Sequence, residues 1–260
     1  MYDSVKNAVV AFNSRFEGVC KNPYLDVKNL ITTAIGCLAD PVSLALPMPW
    51  MMPDGTPASQ AEIARQWQAL KSQPMLSHYP ALSKTVLGAT TMRLTDEGVL
   101  QIVSQRMLAN EKILQSYFPN WSSLPADGML GILSMSWALG AGFAHTFGNF
   151  RSAVNAQNWT GAIASCDIQA TGNPGILPRT AANKLCFANA AAAIAQNLPL
   201  DVLHWPNATP NASQRDQALR QEAELALANM PALNLSHDAD SAAAFFGDEP
   251  KTNPTGPAQS

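Results

Sequence analysis

The sequence predicts an α+β fold that is mainly α-helical, with one small β-hairpin near the N-terminus. Apolar residues recur at helical spacings of three and four along most of the chain. One short β-branched segment after an Asn-Pro turn is instead typical of a hairpin. Hydrophobic residues make up 47% of the 260 residues and charged residues 13%, so the chain can bury a sizeable core and is not disordered as a whole.

The first elements follow from local patterns. A helix is predicted over residues 3–19, capped by Ser4, because four apolar residues share one face: Val5, Val9, Phe12 and Phe16. The hairpin is predicted from Tyr24 to Ile35, because this stretch contains a short run of mostly β-branched residues. Residues 40–60 contain five prolines, which predicts a surface loop.

The remaining elements are helices with recognisable starts. Ser59 and Glu62 form a capping-box pattern that opens a helix through Leu70. Thr95 is the expected N-cap of a helix that runs to about Tyr117. A buried helix, apolar on almost all sides, is predicted at 127–141. Shorter helices are predicted near 146–155 and 158–166, a loop over 171–178, and helices at about 179–196 and 213–229.

Charge and hydropathy exclude several classes of protein. The net charge is −3 and the pI about 5.8, so there is no electrostatic case for nucleic-acid binding. Residues 201–260 hold three basic and eight acidic residues, which makes this tail the acidic part. The uncharged stretch 128–150 is broken by glycines and polar residues, so no membrane span is expected. The first residues lack the pattern of a secretory signal, which predicts synthesis in the cytoplasm and any exit by another route.

Metal and cofactor signatures are not found in the sequence. There is no C-x-x-C pair, no H-E-x-x-H, no phosphate-binding loop and no nucleophile elbow, so no metal or cofactor is expected. A thiol peptidase dyad of Cys20 or Cys37 with His78 or His145 remains an alternative on residue types alone.

Cysteine positions suggest local crosslinks. Cys20 and Cys37 flank the predicted hairpin, and Cys166 and Cys186 flank the loop at 171–178. A Cys20–Cys37 disulfide and a Cys166–Cys186 disulfide would each contribute roughly 3 kcal/mol to the stability of the protein in an oxidising compartment. Four cysteines allow three pairings, and this local one is the prediction.

Two carboxylates near the N-terminus could cleave a glycosidic bond. Glu17 ends the first helix among apolar neighbours, Asp26 lies in the predicted hairpin, and Thr32 follows six residues later. Such a reaction needs one carboxylic acid that protonates the leaving oxygen and one carboxylate that activates water or attacks the sugar carbon. Taken alone, two carboxylates at this spacing are more often surface groups.

This segment resembles the active-site segment of phage-type lysozymes, as found in T-even phages. It reads Glu17-Gly18, then Tyr24-x-Asp26, then Thr32-x-x-x-Gly36. Similar stretches follow in the family's order: LTDEG at 94–98, GFAHTFGNFRSAVNAQNW at 142–159 and NPGILPRTAANKLCF at 173–187. The resemblance covers about residues 5–196.

The resemblance implies a domain organisation. Residues 1–200 would form a lysozyme-like, two-lobed helical domain, with an insertion at 40–93 that separates the hairpin from the next helix. A helical C-terminal extension is predicted at 201–246, and the proline-rich residues 247–260 are predicted to be a disordered tail.

The resemblance also implies roles for five residues. Glu17 would be the general acid, Asp26 would deprotonate a water or act on the sugar carbon, and Thr32 would hydrogen-bond that water. Tyr24 and Arg179 would contact the substrate. Hairpin packing of Tyr24 and a surface position for Arg179, at the start of its helix, are equally weighted alternatives.

The implied activity is that of a muramidase, which hydrolyses the bond between N-acetylmuramic acid and N-acetylglucosamine in peptidoglycan without a cofactor. The expected setting is the bacterial periplasm or cell wall. The chain would reach it as a phage endolysin or as an interbacterial toxin injected by a type VI secretion machine. A toxin would imply a cognate immunity protein, and neither nucleic acid nor membrane is an expected partner.

Departures from the family's pattern keep an alternative open. Ala34 stands where the motif has its first glycine, Cys37 where it ends in histidine, and a second Arg and a Glu usual near Arg179 are missing. The alternative is a catalytically dead module of the same fold that binds peptidoglycan or a protein partner.

Overall fold

The computed structural model describes residues 1–169, 176–210 and 212–229, which are mainly helical with small antiparallel sheets, as predicted. The α-helices are α1 (Asp3–Glu17), α2 (Val42–Ala45), α3 (Gln60–Lys71), α4 (Lys84–Leu87), α5 (Asp96–Tyr117), α6 (Ala126–Leu139), α7 (Gly148–Asn155), α8 (Trp159–Ser165), α9 (Ile176–Ala195) and α10 (Gln214–Ala228). Short 3₁₀ helices are formed by Pro74–His78, Trp121–Ser123 and Ala141–His145. The strands are β1 (Cys20–Leu25), β2 (Ile31–Ala34), β3 (Cys37–Leu38), β4 (Trp50–Met51) and β5 (Arg93–Leu94).

The N-terminal sheet confirms the predicted hairpin and extends it. β1 pairs with β2 and β2 with β3, both antiparallel, and Tyr24 lies directly opposite Thr32. The register between Cys20 and Tyr24 is irregular. Pro23 lies in this stretch and has no N–H to donate, which accounts for the interruption of the ladder.

Helix α1 begins at the predicted residue, but its N-cap differs from the prediction and it ends two residues earlier. It starts at Asp3 with Tyr2 at the N-cap, so the predicted cap by Ser4 is wrong. The Ser4 hydroxyl instead donates to the Asp201 carbonyl at 2.6 Å, a partner almost 200 residues away in sequence. The helix stops at Glu17 because Gly18 has φ of 68°, a left-handed conformation that glycine adopts without steric cost.

The segment 40–60, which was predicted to be a surface loop, contains regular secondary structure. It contains α2 and β4, and Trp50 is buried in the main core, so the loop prediction for 40–60 is wrong there. Trp50 pairs with Leu94 and Met51 with Arg93, so β4 and β5 form a second, two-stranded antiparallel sheet. The predicted cap of α3 is confirmed, since the Ser59 hydroxyl accepts from the Glu62 N–H at 3.2 Å.

The core is built around α6, which is buried along its whole length as predicted and packs against α1, α5 and α9. Close contact with α9 depends on Gly131. A Cβ at this position would lie 2.6 Å from the ring of Phe187, far inside van der Waals contact. The cap of α5 is also as predicted, with the Thr95 hydroxyl accepting from the Gly98 N–H at 3.0 Å.

The segment after α9 is fastened to the body by Asp127, in the first turn of α6. Its carboxylate accepts from the backbone N–H groups of His204 and Trp205 and from the Asn189 side chain, each at 2.9 Å. Trp205 packs on Phe12 of α1 with ring centroids 4.7 Å apart. The C-terminal segment thereby links α1 to α6.

The last helices differ little from the prediction. α9 begins at Ile176, three residues before the predicted start, and accommodates Pro178 in its first turn, where no intrahelical N–H bond is lost. α10 packs against α9 and adds Ala223 to the core. No helix in the described ranges is long and apolar enough to cross a membrane. The predicted tail at 247–260 lies outside the described residues.

Candidate active site

Glu17 lies at the C-terminal end of α1 and forms a buried ion pair with Arg179 of α9. The carboxylate is 8% exposed and the guanidinium 1% exposed. Arg179 Nη2 donates to Glu17 Oε1. Two residues separated by 162 positions in the sequence therefore meet as oppositely charged groups inside the protein.

Arg179 also ties three helices together. Its Nη1 donates to Asn13 Oδ1 of α1 at 2.6 Å and to the Ser134 hydroxyl of α6 at 3.2 Å. The guanidinium lies over the ring of Phe16, 4.8 Å from the centroid. The surface position considered for Arg179 is therefore wrong.

Sequence reasoning missed Asn13 and Ser134. Asn13 lies one helical turn before Glu17, so both side chains leave α1 on the same face. A single amide in an otherwise apolar stripe is the signal that could have identified Asn13. Ser134 carries no such signal, because its partner comes from a distant part of the chain.

Asp26 lies in the turn between β1 and β2 and is 1% exposed. Its Oδ1 accepts from the backbone N–H of Lys28 at 2.9 Å and of Leu30 at 2.8 Å. This is the turn-forming pattern of an aspartate that hydrogen-bonds the backbone ahead of it. The carboxylate therefore shapes the hairpin that presents it.

Tyr24 brings the predicted residues into one neighbourhood. The pKa of its hydroxyl is raised well above the usual value by burial, with smaller contributions from Cys20, Glu17, Asp26 and Cys37. Both carboxylates therefore lie close enough to act electrostatically on the same hydroxyl. Thr32, opposite Tyr24 in the sheet, is 5% exposed.

The position of Tyr24 matches the packing alternative rather than an open cleft. The residue is buried in a small cluster with Cys20, Ala81 and Val86, the last two from the segment between α3 and β5. Since Glu17, Asp26 and Thr32 are buried as well, the group is closed in this structure. A polymeric substrate would reach it only after neighbouring segments move apart.

The four cysteines do not form the predicted crosslinks. All are free and buried. Burial raises the pKa of both Cys20 and Cys37 to about 11 and that of Cys166 to about 12. A thiol nucleophile needs the opposite shift, so these environments argue against the thiol peptidase alternative.

Two further residues border the group without having been predicted. Trp137 of α6 donates its Nε1–H to the Ile35 carbonyl at 3.1 Å, next to the β2–β3 turn. Arg106 of α5 stacks on Trp137, with 5.2 Å from its guanidinium carbon to the ring centroid. Its positive charge also lowers the pKa of Cys37, but burial raises that pKa by more. Together they connect α5 and α6 to the β2–β3 turn.

A cavity of about 640 Å³ opens elsewhere, between the start of α7 and the end of α8. Its walls come from residues 146–150, 164, 165 and 167, and include none of the predicted site residues. Across the described parts of the chain, no group of three or more His, Cys, Asp or Glu could hold a metal ion.

Comparison with known proteins identifies no relative. Neither a family model, nor a curated protein, nor a solved structure matches this chain.

Proposed function

We propose that the protein is a muramidase that hydrolyses the glycosidic bond between N-acetylmuramic acid and N-acetylglucosamine in peptidoglycan. The observation that carries the proposal is that two buried carboxylates, Glu17 and Asp26, both act electrostatically on one hydroxyl, that of Tyr24, whose pKa they raise in addition to the larger effect of burial. Two carboxyl groups on separate elements are the minimum machinery for glycoside hydrolysis.

The motif resemblance to phage-type lysozymes supports the same activity and a two-lobed domain. Ala34 has φ of 56°, a conformation that favours glycine, and the family's motif carries glycine at this position. The backbone at Ala34 therefore has a conformation that a glycine at this position would adopt without strain. This supports the proposal, because the replacement of glycine by alanine has not moved the backbone out of that conformation.

In the proposed mechanism, Glu17 protonates the leaving glycosidic oxygen. This role requires that Glu17 is protonated when the substrate binds. The Glu17 carboxyl group must also give up its contact with Arg179 and form a hydrogen bond to the glycosidic oxygen. Asp26 is held by two backbone N–H groups and would orient and deprotonate the water, with Thr32 as a further hydrogen-bonding partner. Arg179 positions Glu17 from within the core, which is a different role from the predicted substrate contact.

The setting of such an enzyme would be the bacterial cell wall. The proposed partner is peptidoglycan, and the proposed routes are release with a phage or injection as a toxin by a secretion machine. An injected toxin would require an immunity protein in the producing cell. That protein would have to cover the Glu17 site to block it.

One observation favours a second candidate, a non-catalytic module of the same fold. Glu17 forms a buried ion pair with Arg179. A structural role for this pair, as a link between two helices, is enough to explain why Glu17 is buried. In that case peptidoglycan or a protein partner would bind without turnover.

The experiment that separates the two candidates is a digest of purified peptidoglycan with mass spectrometry of the fragments. The wild type should release disaccharide units with intact peptide stems. Glu17→Gln keeps size and hydrogen-bonding capacity but removes the titrating proton, so the rate should fall by about 10²–10⁴-fold. Asp26→Asn, which retains an acceptor for the turn, should also be severely impaired.

A matched control uses a buried carboxylate away from the site. Glu111 is buried and accepts from the Trp121 indole N–H at 2.8 Å, so Glu111→Gln makes the same chemical change elsewhere. It should retain wild-type turnover. Full activity in Glu17→Gln would end the assignment at this site, and binding without any fragment release by the wild type would favour the non-catalytic module.

A further inference from the structure

One short segment packs over Tyr24. Residues 79–88, the flap, place Ala81 and Val86 in the small apolar cluster that buries Tyr24 and Cys20. This cluster is separate from the main core of the protein. The flap therefore covers Tyr24 with a few side chains of its own, and not as a part of the main core.

The flap is attached to the rest of the protein on both sides. Before it, Leu76 packs in the main core. After it, the Gln66 side chain of α3 accepts from the backbone N–H groups of Thr91 and Met92, at 2.8 and 3.1 Å. These contacts leave residues 79–88 between two fixed points.

Hydrogen bonds within the flap keep its shape. The Ser83 N–H donates to the Pro80 carbonyl at 2.8 Å, and the Ser83 hydroxyl caps α4 by accepting from the Val86 N–H at 3.3 Å. Because these bonds close inside the flap, they stay intact when it moves away from β1. The Cys20 thiol of β1 donates to the Ala81 carbonyl at 3.7 Å, and a thiol is only a weak donor.

The apolar surface that holds the flap closed is small. Ala81 is 1% exposed and Val86 fully buried, whereas Tyr79 and Leu82 are 42% and 50% exposed. A segment with few buried apolar contacts opens locally at a lower free energy than the whole protein unfolds. The structure therefore favours opening of the flap while the main core stays folded.

We propose that residues 79–88 move away from β1 as a flap and open the buried group around Tyr24 to the glycan strand. Glu17 and Asp26 both act on the Tyr24 hydroxyl, so uncovering Tyr24 gives access to the neighbourhood of both carboxylates. The closed flap would lower the apparent affinity for substrate in proportion to the fraction of closed molecules. Substrate entry rests on the proposed muramidase function, whereas the opening itself does not.

The opening is tested on the wild-type chain with a thiol reagent under native conditions, followed for hours by mass spectrometry of the labelled peptides. Cys20 becomes accessible when the flap opens, whereas Cys186 lies in the main core and becomes accessible only on unfolding. Labelling should be slow at both positions, and at least about tenfold faster at Cys20 than at Cys186. Equal rates would overturn the proposal, because unfolding of the whole protein would then be what exposes Cys20.

A variant of the closing contact tests the same step. Val86→Ala removes two methyl groups from the cluster and should speed the labelling of Cys20 about tenfold. Val154→Ala is the matched control: Val154 is also fully buried, but it lies in the main core on α7, so Cys20 should keep its wild-type labelling rate. Unchanged labelling in Val86→Ala, or the same acceleration in both variants, would overturn the flap.

A peptidoglycan digest tests substrate entry separately. At low substrate concentration, Val86→Ala should release fragments about tenfold faster than the wild type, because a larger fraction of molecules is open. Faster labelling without faster digestion would overturn the role of the flap in substrate entry. If the wild type releases no fragments while Cys20 is labelled as expected, the muramidase proposal fails and the opening of the flap is supported.

Discussion

Replacing Arg179 with methionine should destabilise the protein strongly. Methionine is similar in length and can fill most of the space, but it carries no charge and donates no hydrogen bond. The substitution leaves Glu17 buried without its cation and removes the donors to Asn13 and Ser134.

The magnitude follows from the burial of the pair. Removing one partner of a buried ion pair costs about 3–5 kcal/mol, because the remaining charge stays in a poorly solvating environment. Each lost hydrogen bond adds about 1 kcal/mol, and burial of the methionine side chain offsets part of this. We expect a net loss of about 4 kcal/mol, a large part of the roughly 5–15 kcal/mol that stabilises a typical protein.

The assay is urea unfolding followed by tryptophan fluorescence. Arg65→Met is the control, because the Arg65–Glu62 pair has the same chemistry on the surface, with the arginine 66% exposed. It should lose no measurable stability. The double variant Glu17→Gln/Arg179→Met should be more stable than Arg179→Met alone, because no uncompensated charge remains.

Two results would refute this reasoning. A loss in Arg179→Met as small as that in Arg65→Met would mean that Glu17 and Arg179 are solvated and do not form a buried pair. Equal stability of the double variant and Arg179→Met would mean that the loss of the Arg179 charge beside the Glu17 carboxylate is not the source of the cost.

Three further predictions concern other parts of the molecule. Burial raises the pKa of Asp127 above its usual 3.8, so its contribution to stability is lost as pH rises through the raised value. We measure the unfolding free energy of the wild type minus that of Asp127→Asn at each pH. This difference should fall from pH 3 towards neutrality, and a difference that does not change with pH would contradict the prediction. Gly131→Ala should cost about 1–3 kcal/mol and lower Tm, because the new Cβ would lie 2.6 Å from the Phe187 ring; an unchanged Tm would count against the packing of α6 on α9. The four cysteines should resist a thiol reagent in the native protein and react in denaturant, since burial raises the pKa of Cys37, for example, to about 11; fast native labelling would disprove this.

Helices and the hairpin were predictable because their signals are local. Ser59 and Thr95 cap α3 and α5 through N–H groups three residues away, and that spacing can be read from the sequence. The apolar character of 127–141 on almost all sides predicts burial of α6, because a helix without a polar face has no side to expose. The candidate residues Glu17 and Asp26 were likewise identified from short motifs.

The tertiary structure alone decided how these pieces meet. The motif resemblance assigned Arg179 to the substrate, and no local pattern indicates its ion pair with Glu17, since the contact joins residues 162 positions apart and arginine at a helix start is usually exposed. The same reason explains Trp50, which is buried because β4 pairs with β5, some 40 residues further along the chain. Local patterns determine which segments become helix or strand, because their hydrogen bonds close within a few residues. Burial and charge pairing depend on partners that only the folded chain brings into contact.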